Sequence, residues 1–172
     1  HPDRVALVHK SCEGVVRRFS FEEIRRLSNQ AANVLKEAGI GRGDAVMLIL
    51  KRRYEFWISV MALHKLGAVA IPTSHMVSAE DIAERVRMAN AKALICVNAD
   101  QICERVEHAL RLVEASEDGD KRGGSKVVKW TVGDAREGFL DFEQLLQAAA
   151  VELERISTKV HDDMLYYFTS GT

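Results

Sequence analysis

Apolar residues along this chain follow two alternating patterns, one of strand length and one with the period of a helix. Continuous apolar runs occupy residues 45–50, 68–72 and 93–97. Between them, apolar residues recur at the i, i+3, i+4 spacing of an amphipathic helix. Strands without polar alternation are typical of a sheet that is covered on both faces. The sequence therefore predicts an α/β fold, a mostly parallel sheet with helices on both faces.

Capping and stop signals set the bounds of the predicted helices. A serine or aspartate precedes three of the helical runs, and a glycine follows two of them. The predicted N-cap residues are Ser20, Ser78 and Asp141, and the predicted stops are Gly39 and Gly67. Ser20 is followed three residues later by a glutamate, which is the spacing of a capping box.

One of these helices is unusual because it is apolar on nearly every side. Residues 55–66 include Phe56, Trp57 and Met61 as well as smaller apolar side chains. A helix that is hydrophobic all round is normally buried. We therefore expect this helix to be deeply packed, and we expect Pro72 to end the strand that follows it by removing a ladder donor.

Three further segments complete the predicted organisation. Residues 5–8 and 15–19 predict a short N-terminal hairpin. Residues 117–126 contain six charged residues and three glycines, which predicts a solvated and mobile loop. Residues 126–132 predict another core strand, and residues 165–168 predict a short aromatic strand. We expect this last strand to be central in a larger sheet.

Composition narrows the classes of function. The 172 residues carry 24 Lys+Arg and 25 Asp+Glu, a net charge of -1, so no uniform field attracts nucleic acid or an anionic membrane. No apolar run approaches a membrane span, and none has signal-peptide flanks. The three cysteines, Cys12, Cys96 and Cys103, are too few for a disulfide framework. These features predict a cytoplasmic globular protein in which Cys96 is a small core residue.

Several residues that could carry chemistry are better explained by structure. The Gly39, Gly41 and Gly43 cluster leads from a helix into a strand, the reverse of a dinucleotide-binding turn. His64 lies on an apolar helix, where a hydrogen-bonded core histidine is expected. Residues 161–163 are interpreted as a loop, and no His or Cys spacing indicates a metal site. The sequence predicts no catalytic residue and no metal ligand from these positions.

The last four residues are the best candidate for a ligand site. Thr169, Ser170, Gly171 and Thr172 follow a predicted strand, and open α/β sheets bind ligands beyond the carboxyl ends of their strands. A glycine lets the backbone approach an anion, and hydroxyls add neutral donors suited to phosphate oxygens. The same four residues also have ordinary turn composition. From these residues alone, phosphate binding and a simple turn both remain open.

A family resemblance favours phosphate binding over a simple turn at these four residues. Residues 167–172, YFTSGT, resemble the opening of the phosphate loop of the adenylate-forming acyl-CoA synthetases. Other stretches that are similar to this family follow in its usual order, at residues 2–7, 19–24, 28–33, 41–46 and 65–72. Residues 79–95 and 138–142, with the aromatic pair at 56–57, are most similar to the medium-chain branch. The resemblance spans essentially the whole chain.

The resemblance implies a reaction and a role for the last four residues. Enzymes of this family couple a carboxylate to ATP, forming an acyl-adenylate and pyrophosphate, and then transfer the acyl group to coenzyme A (CoA) with release of AMP. Mg2+ assists by offsetting phosphate charge. By this resemblance Thr169, Ser170, Gly171 and Thr172 contact the β and γ phosphates. The implied substrate is a short- or medium-chain or aromatic carboxylic acid.

The resemblance also implies that residues 1–172 are a single α/β unit, the N-terminal part of an AMP-binding domain. The rest of that domain and a C-terminal domain are then absent, so we expect the isolated chain to be inactive. We expect an exposed edge at residues 165–168 to favour self-association. The alternative is a non-catalytic nucleotide-binding or interaction module on the same scaffold, and fold analogy alone also allows a flavodoxin-like protein.

Overall fold

The computed structural model describes residues 1–116, 126–154 and 156–169. The strands in these ranges are β1 (Val5–Lys10), β2 (Val16–Ser20), β3 (Ala45–Ile49), β4 (Val69–Pro72), β5 (Ala93–Val97), β6 (Val128–Val132) and β7 (Leu140–Asp141). The helices are α1 (Phe21–Glu37), α2 (Glu55–Leu66), α3 (Ala79–Met88), α4 (Ile102–Glu114) and α5 (Phe142–Ala148). Most of the charged loop predicted at residues 117–126 lies outside the described residues.

The strands form two sheets, which confirms the predicted fold class. β1 and β2 pair as an antiparallel hairpin. The larger sheet has the order β4-β3-β5-β6-β7, and all of its neighbouring strands run parallel. Helices α1, α2 and α5 pack on one face of this sheet, and α3 and α4 pack on the other.

Strand β3 explains why the apolar runs show no polar alternation. All five of its residues are buried. Val46 and Leu48 point into the core beneath α1, α2 and α5, whereas Met47 and Ile49 point into the core beneath α3 and α4. Successive side chains of a strand alternate between faces, so a strand covered on both faces must be apolar throughout.

The predicted helix signals form the expected contacts. The Glu23 backbone N–H donates to Ser20 Oγ at 3.1 Å, and the Ser20 N–H donates to Glu23 Oε2 at 2.7 Å, a complete capping box. Ser78 and Asp81 make the same reciprocal pair at the start of α3. Gly67 ends α2 with a φ of 68°, a left-handed conformation that glycine adopts without strain.

Helix α2 is less deeply packed than its composition predicts. Ile58, Ala62 and Leu63 are fully buried, but Trp57 is 50% exposed and Met61 is 41% exposed. The expectation of burial on all sides is wrong here because α2 lies on the outer layer. It packs against the sheet and α1, and Trp57 and Met61 line an open cavity of about 640 Å³ between α2, α1 and the hairpin.

The aromatic strand predicted at residues 165–168 is reduced to a single bridge. Ala70 N–H donates to the Met164 carbonyl and Tyr166 N–H donates to the Ala70 carbonyl, both at 3.0 Å. The next donor on this side of β4 belongs to position 72, and Pro72 has no N–H. The segment therefore lies parallel to β4 at the edge of the sheet instead of forming a longer strand.

Side-chain amides on α1 hold the end of α5. Gln30 Nε2 donates to the carbonyls of Leu146 and Ala149, at 2.8 and 3.1 Å. Asn29 and Asn33 donate in the same way to the carbonyls of Val151, Ala150 and Glu152. The last carbonyls of a helix have no partner within the helix, so an outside donor that reaches them stabilises the helix end. These amides give the motif at residues 28–33 a physical role.

Replacement of Gln30 by alanine tests this contact. Gln30 is buried, and its loss leaves the Leu146 carbonyl without that donor, so we expect Gln30→Ala to lower the free energy of unfolding by about 1–3 kcal/mol. Urea denaturation followed by circular dichroism measures the change. Gln147→Ala, at an exposed position on α5, serves as the matched control and should stay within about 0.5 kcal/mol of the parent. Equal losses in the two variants would contradict the role of Gln30.

Candidate functional site at the carboxyl edge of the sheet

The carboxyl ends of the parallel strands meet at one edge of the sheet. The loops that begin there follow β3, β4, β5 and β6. Residues 165–169 run parallel to β4 beyond it, so Thr169 lies at this same edge, and it is exposed. Ser170, Gly171 and Thr172 lie outside the described residues. The structure thus places the first of the four predicted site residues where open α/β sheets bind ligands.

Contacts along the preceding segment fix the position from which Thr169 leaves the sheet. His64 Nε2 lies 3.2 Å from the Met164 carbonyl, in hydrogen-bonding distance. The Tyr166 hydroxyl donates to Asp163 at 2.9 Å, and the Arg85 guanidinium lies over the Phe168 ring at 5.3 Å. The hydrogen bond expected of His64 is present, but its side chain is only partly buried, so the expectation of a core histidine is wrong. Its partner is the segment that leads into the candidate site.

A cross-loop ion pair joins the ends of β3 and β5. Lys51 Nζ contacts Asp100 Oδ2 at 2.5 Å. The Lys51 ammonium holds the pKa of the Asp100 carboxyl below its ordinary value, first through this hydrogen bond and then through its charge. Lys51, Asp100 and Gln101 all have a positive φ, of 52°, 51° and 58°, which is uncommon for residues other than glycine. Strained backbone of this kind is concentrated at functional sites.

Arg105 on α4 ties the loop after β4 to the loop after β5. Its guanidinium donates to the His75 carbonyl at 2.7 Å and reaches the Asp100 carbonyl at 3.4 Å. Its Nε is buried and has no hydrogen-bond partner among the described residues. The contact with His75 positions the loop nearest to the segment that carries Thr169.

Charged side chains connect the segment after β3 to α5 and, through it, to the loop after β6. The Arg53 guanidinium donates to both carboxylate oxygens of Glu55, at 2.8 and 3.1 Å, and Glu55 is fully buried. The same guanidinium lies 3.6 Å from Glu143, whose other oxygen accepts from the Gly133 N–H at 2.7 Å. Burial raises the pKa of Glu143, although the Gly133 N–H opposes this shift. Bidentate pairing explains how a fully buried carboxylate is tolerated.

None of these charged residues stood out in the sequence as part of a site. Lys51 pairs with the distant Asp100 and Arg53 with the distant Glu143, so no local motif contains both partners, and the short spacing of Arg53 and Glu55 does not by itself indicate a site. The signal that could have identified them is their position in the sequence, because charged side chains follow buried strands at residues 51–53 and at residue 100. The basic residues Lys51 and Arg53 are held by carboxylates.

The other sequence candidates are structural. Gly39 and Gly43 have positive φ values at the turn between α1 and β3, at the opposite edge of the sheet. Asp162 pairs with Arg42 at 2.7 Å, which confirms that residues 161–163 form a loop. Cys96 is fully buried, as predicted. Within the described ranges, no three His, Cys, Asp or Glu side chains are grouped so that they could hold a metal ion.

Comparison with known proteins gives relatives of one kind. The chain is 34% identical over 157 residues to human Acyl-coenzyme A synthetase ACSM5, mitochondrial. The aligned region covers 90% of this chain and 25% of that protein. An acyl-CoA synthetase from Brucella canis superposes over 100% of this chain and 30% of its own, with a TM-score of 0.84 and 25% identity. The anthranilate CoA ligase AuaEII, solved with anthranoyl-AMP, shares the fold with a TM-score of 0.78 at 21% identity.

The chain thus spans about a quarter of the length of the curated relatives that it matches. The name of the human relative places that protein in mitochondria, whereas the sequence led us to expect a cytoplasmic protein. None of the helices in the described ranges is both long and apolar enough to span a bilayer.

The strongest family evidence covers every residue of the chain. The model of the AMP-binding enzyme family matches residues 1–172. The parallel sheet, the position of Thr169 at its carboxyl edge and the acyl-CoA synthetase relatives all agree with this match. On this evidence the chain belongs to the AMP-binding enzyme family.

Proposed function

We propose that this chain is the N-terminal part of the AMP-binding domain of an AMP-forming acyl-CoA synthetase. The observation that carries the proposal is the position of Thr169 at the carboxyl edge of the sheet, in a chain that the family model matches from end to end. On this proposal residues 1–172 act as one α/β unit. Thr169, Ser170, Gly171 and Thr172 contact the β and γ phosphates of ATP.

The proposed reaction has two steps. A carboxylate of the substrate displaces pyrophosphate from ATP and forms an acyl-adenylate, and the CoA thiol then displaces AMP to give the acyl-CoA. Mg2+ offsets phosphate charge when it is bound. The described residues offer no cluster of carboxylates, so the ion would enter with the nucleotide phosphates, which are its preferred ligands in such sites.

The residues of this chain contribute binding and positioning in this scheme. The Thr169 hydroxyl and neighbouring backbone N–H groups donate to phosphate oxygens. The Lys51–Asp100 and Arg53–Glu55 pairs and the Arg105 contact hold the adjoining loops in fixed positions. Fixed donors stabilise developing charge at less cost than groups that must first reorganise.

The proposed substrate class is a short- or medium-chain or aromatic monocarboxylic acid. Residues 79–95 and 138–142 support this assignment through their similarity to the medium-chain branch. The human relative at 34% identity carries the name acyl-coenzyme A synthetase. A cytoplasmic location and self-association through residues 165–168 remain predictions, the latter supported by the single bridge that this segment makes and by the exposure of Tyr167.

Thr169 can be tested in the full-length enzyme that contains this chain. A hydrogen bond to a charged group is worth about 1.5–3 kcal/mol, so we expect Thr169→Val to lower kcat/KM for ATP by about 10- to 150-fold. Thr158→Val is the matched control, because Thr158 lies beside Gly67 near the opposite edge of the sheet. Its kcat/KM should stay within about twofold of the parent. An unchanged Thr169→Val enzyme would remove this threonine from the phosphate site.

The isolated 172-residue chain should not catalyse adenylation. Stabilisation of the transition state needs donors on several sides of the reacting phosphate, and this chain supplies only one side. Carboxylate-dependent exchange of radiolabelled pyrophosphate into ATP measures the first step directly. Exchange above that of a heat-denatured sample would show that these residues suffice for the reaction. Nucleotide binding by a full-length protein that catalyses no exchange would favour the non-catalytic module.

The full-length enzyme should prefer acids of intermediate length. Each buried CH₂ contributes about 0.8 kcal/mol, or about fourfold in binding, until the acyl pocket is full. We expect kcat/KM to reach its maximum at butyrate, hexanoate, octanoate or benzoate in a series that also includes acetate and palmitate. A maximum at palmitate would refute the assignment, and one at acetate would indicate the acetate-activating branch.

A further inference from the structure

Two cysteines lie in contact inside the core, and the proposed function uses neither of them. Cys96 is on β5, Cys103 is in the first turn of α4, and their sulfur atoms are 3.8 Å apart. Both side chains are fully buried, and Cys12 is exposed on the hairpin. Only the turn between β5 and α4 separates the two buried cysteines in sequence, so the fold keeps them together.

The surroundings of the pair favour a thiolate at Cys103. Its sulfur lies 4.0 Å from Thr131 Oγ1, whose hydroxyl can donate to a thiolate, whereas the contact at 3.9 Å with the Val97 carbonyl is one that the protonated thiol donates. The hydrogen bond with the Cys96 thiol is the largest influence on the pKa of Cys103, and it lowers this pKa. Burial raises the pKa, the Thr131 hydroxyl and the Arg136 charge lower it, and the Glu104 charge raises it. The resulting pKa is about 7. The first turn of a helix also favours negative charge. A thiolate beside a thiol is the arrangement in which one sulfur reacts and the other resolves the product.

The start of α4 lacks a side-chain cap, although the Lys51–Asp100 pair and Arg105 tie it to the neighbouring loops. The residue before the helix, Gln101, has a φ of 58° and makes no side-chain cap bond. Asp100 next to it also has a positive φ. A helix end with strained backbone and no side-chain cap opens at a lower free-energy cost than the core around it. Such opening provides a small oxidant with a route to Cys103.

We propose that Cys96 and Cys103 form an oxidisable dithiol site that takes a two-electron oxidant of the peroxide class and closes an intramolecular disulfide. Neither cysteine is among the four residues assigned to phosphate binding, and the proposal does not depend on the function of the whole protein. The two sulfur atoms are already in contact at 3.8 Å and would close to the roughly 2.05 Å of a disulfide.

The chemistry balances in two steps. The Cys103 thiolate attacks one oxygen of hydrogen peroxide, an S–O bond forms, the O–O bond breaks, and the leaving hydroxide takes up a proton to become water. Cys96 then attacks the sulfenic sulfur of Cys103, the S–S bond forms, and the S–O bond breaks. The departing hydroxide and the proton from the Cys96 thiol give a second water. Two thiols have lost two electrons to one peroxide.

The disulfide would affect the loops at the carboxyl edge of the sheet, where Thr169 lies, by moving the start of α4. Asp100 and Arg105 flank Cys103, and they bind the loops after β3 and β4. Movement of the first turn toward β5 would shift both contacts. The oxidised and reduced forms should therefore differ in the position of these loops.

The experiment uses the 172-residue chain with Cys12→Ser, which removes the exposed thiol. The folded protein is treated with hydrogen peroxide, quenched with catalase, unfolded in urea with N-ethylmaleimide and digested with trypsin. Lys92 and Arg105 bound a single tryptic peptide, residues 93–105, that contains both cysteines. We expect this peptide to lose about 2 Da, the mass of two hydrogen atoms, and to take up no maleimide. Dithiothreitol given before the maleimide should restore two additions.

Controls make the result decisive. The Cys12→Ser, Cys103→Ala chain should show no 2 Da loss and should keep Cys96 free for maleimide after the same treatment. The unsubstituted chain reports whether the peroxide dose is sufficient, because it oxidises the exposed Cys12. Two free thiols in peptide 93–105 at that dose would overturn the proposal. A disulfide that forms only in the urea-unfolded chain would overturn it as well, since the proposal depends on the folded contact.

Discussion

Strand β3 has to be covered on both of its faces, and most of the structure follows from this requirement. Its side chains alternate between two cores, with Val46 and Leu48 on one side and Met47 and Ile49 on the other. A single layer of helices cannot bury both sets. The chain therefore places α1, α2 and α5 on one face and α3 and α4 on the other, and right-handed crossovers between parallel strands bring this about.

Parallel pairing has a second consequence, which concerns function. Because all strands of the larger sheet point the same way, the loops that leave their carboxyl ends meet at one edge. Charged side chains hold these loops in place, with Lys51 against Asp100 and Arg53 against Glu55. Three residues with unfavourable positive φ values also lie here, at positions 51, 100 and 101. The fold provides the framework at this edge, and backbone strain of this kind is concentrated at functional sites in proteins.

Two of the sequence motifs that resemble the family make identifiable structural contacts in this fold. The stretch at residues 28–33 resembles the first long helix of acyl-CoA synthetases, and here Gln30 binds a carbonyl at the end of α5, whereas Asn29 and Asn33 bind carbonyls of the residues that follow it. The stretch at residues 65–72 includes Gly67, which ends α2, and Pro72, which stops pairing at the edge of β4. Pro72 thereby limits the pairing of the segment that reaches Thr169. Both features are requirements of the framework and need not touch a substrate.

Local signals in the sequence determined the elements of this protein. The capping residues Ser20, Ser78 and Asp141 each accept the predicted backbone hydrogen bond, because a helix end depends only on residues a few positions apart. The all-apolar runs likewise predicted a sheet covered on both faces, since burial of both faces leaves no position for a polar side chain. The resemblance at residues 167–172 located the candidate site at a strand end. These inferences needed no knowledge of how distant segments pack.

Tertiary structure decided everything that depends on two distant segments. The exposure of Trp57 follows from the outer position of α2, and the length of its apolar sequence gives no information about which side faces water. The Lys51–Asp100 ion pair joins residues 49 positions apart. The contact between Cys96 and Cys103 depends on how α4 folds back on β5, so their spacing alone does not specify it. Such pairings are set by the balance of burial and charge over the whole fold, and no local pattern encodes them.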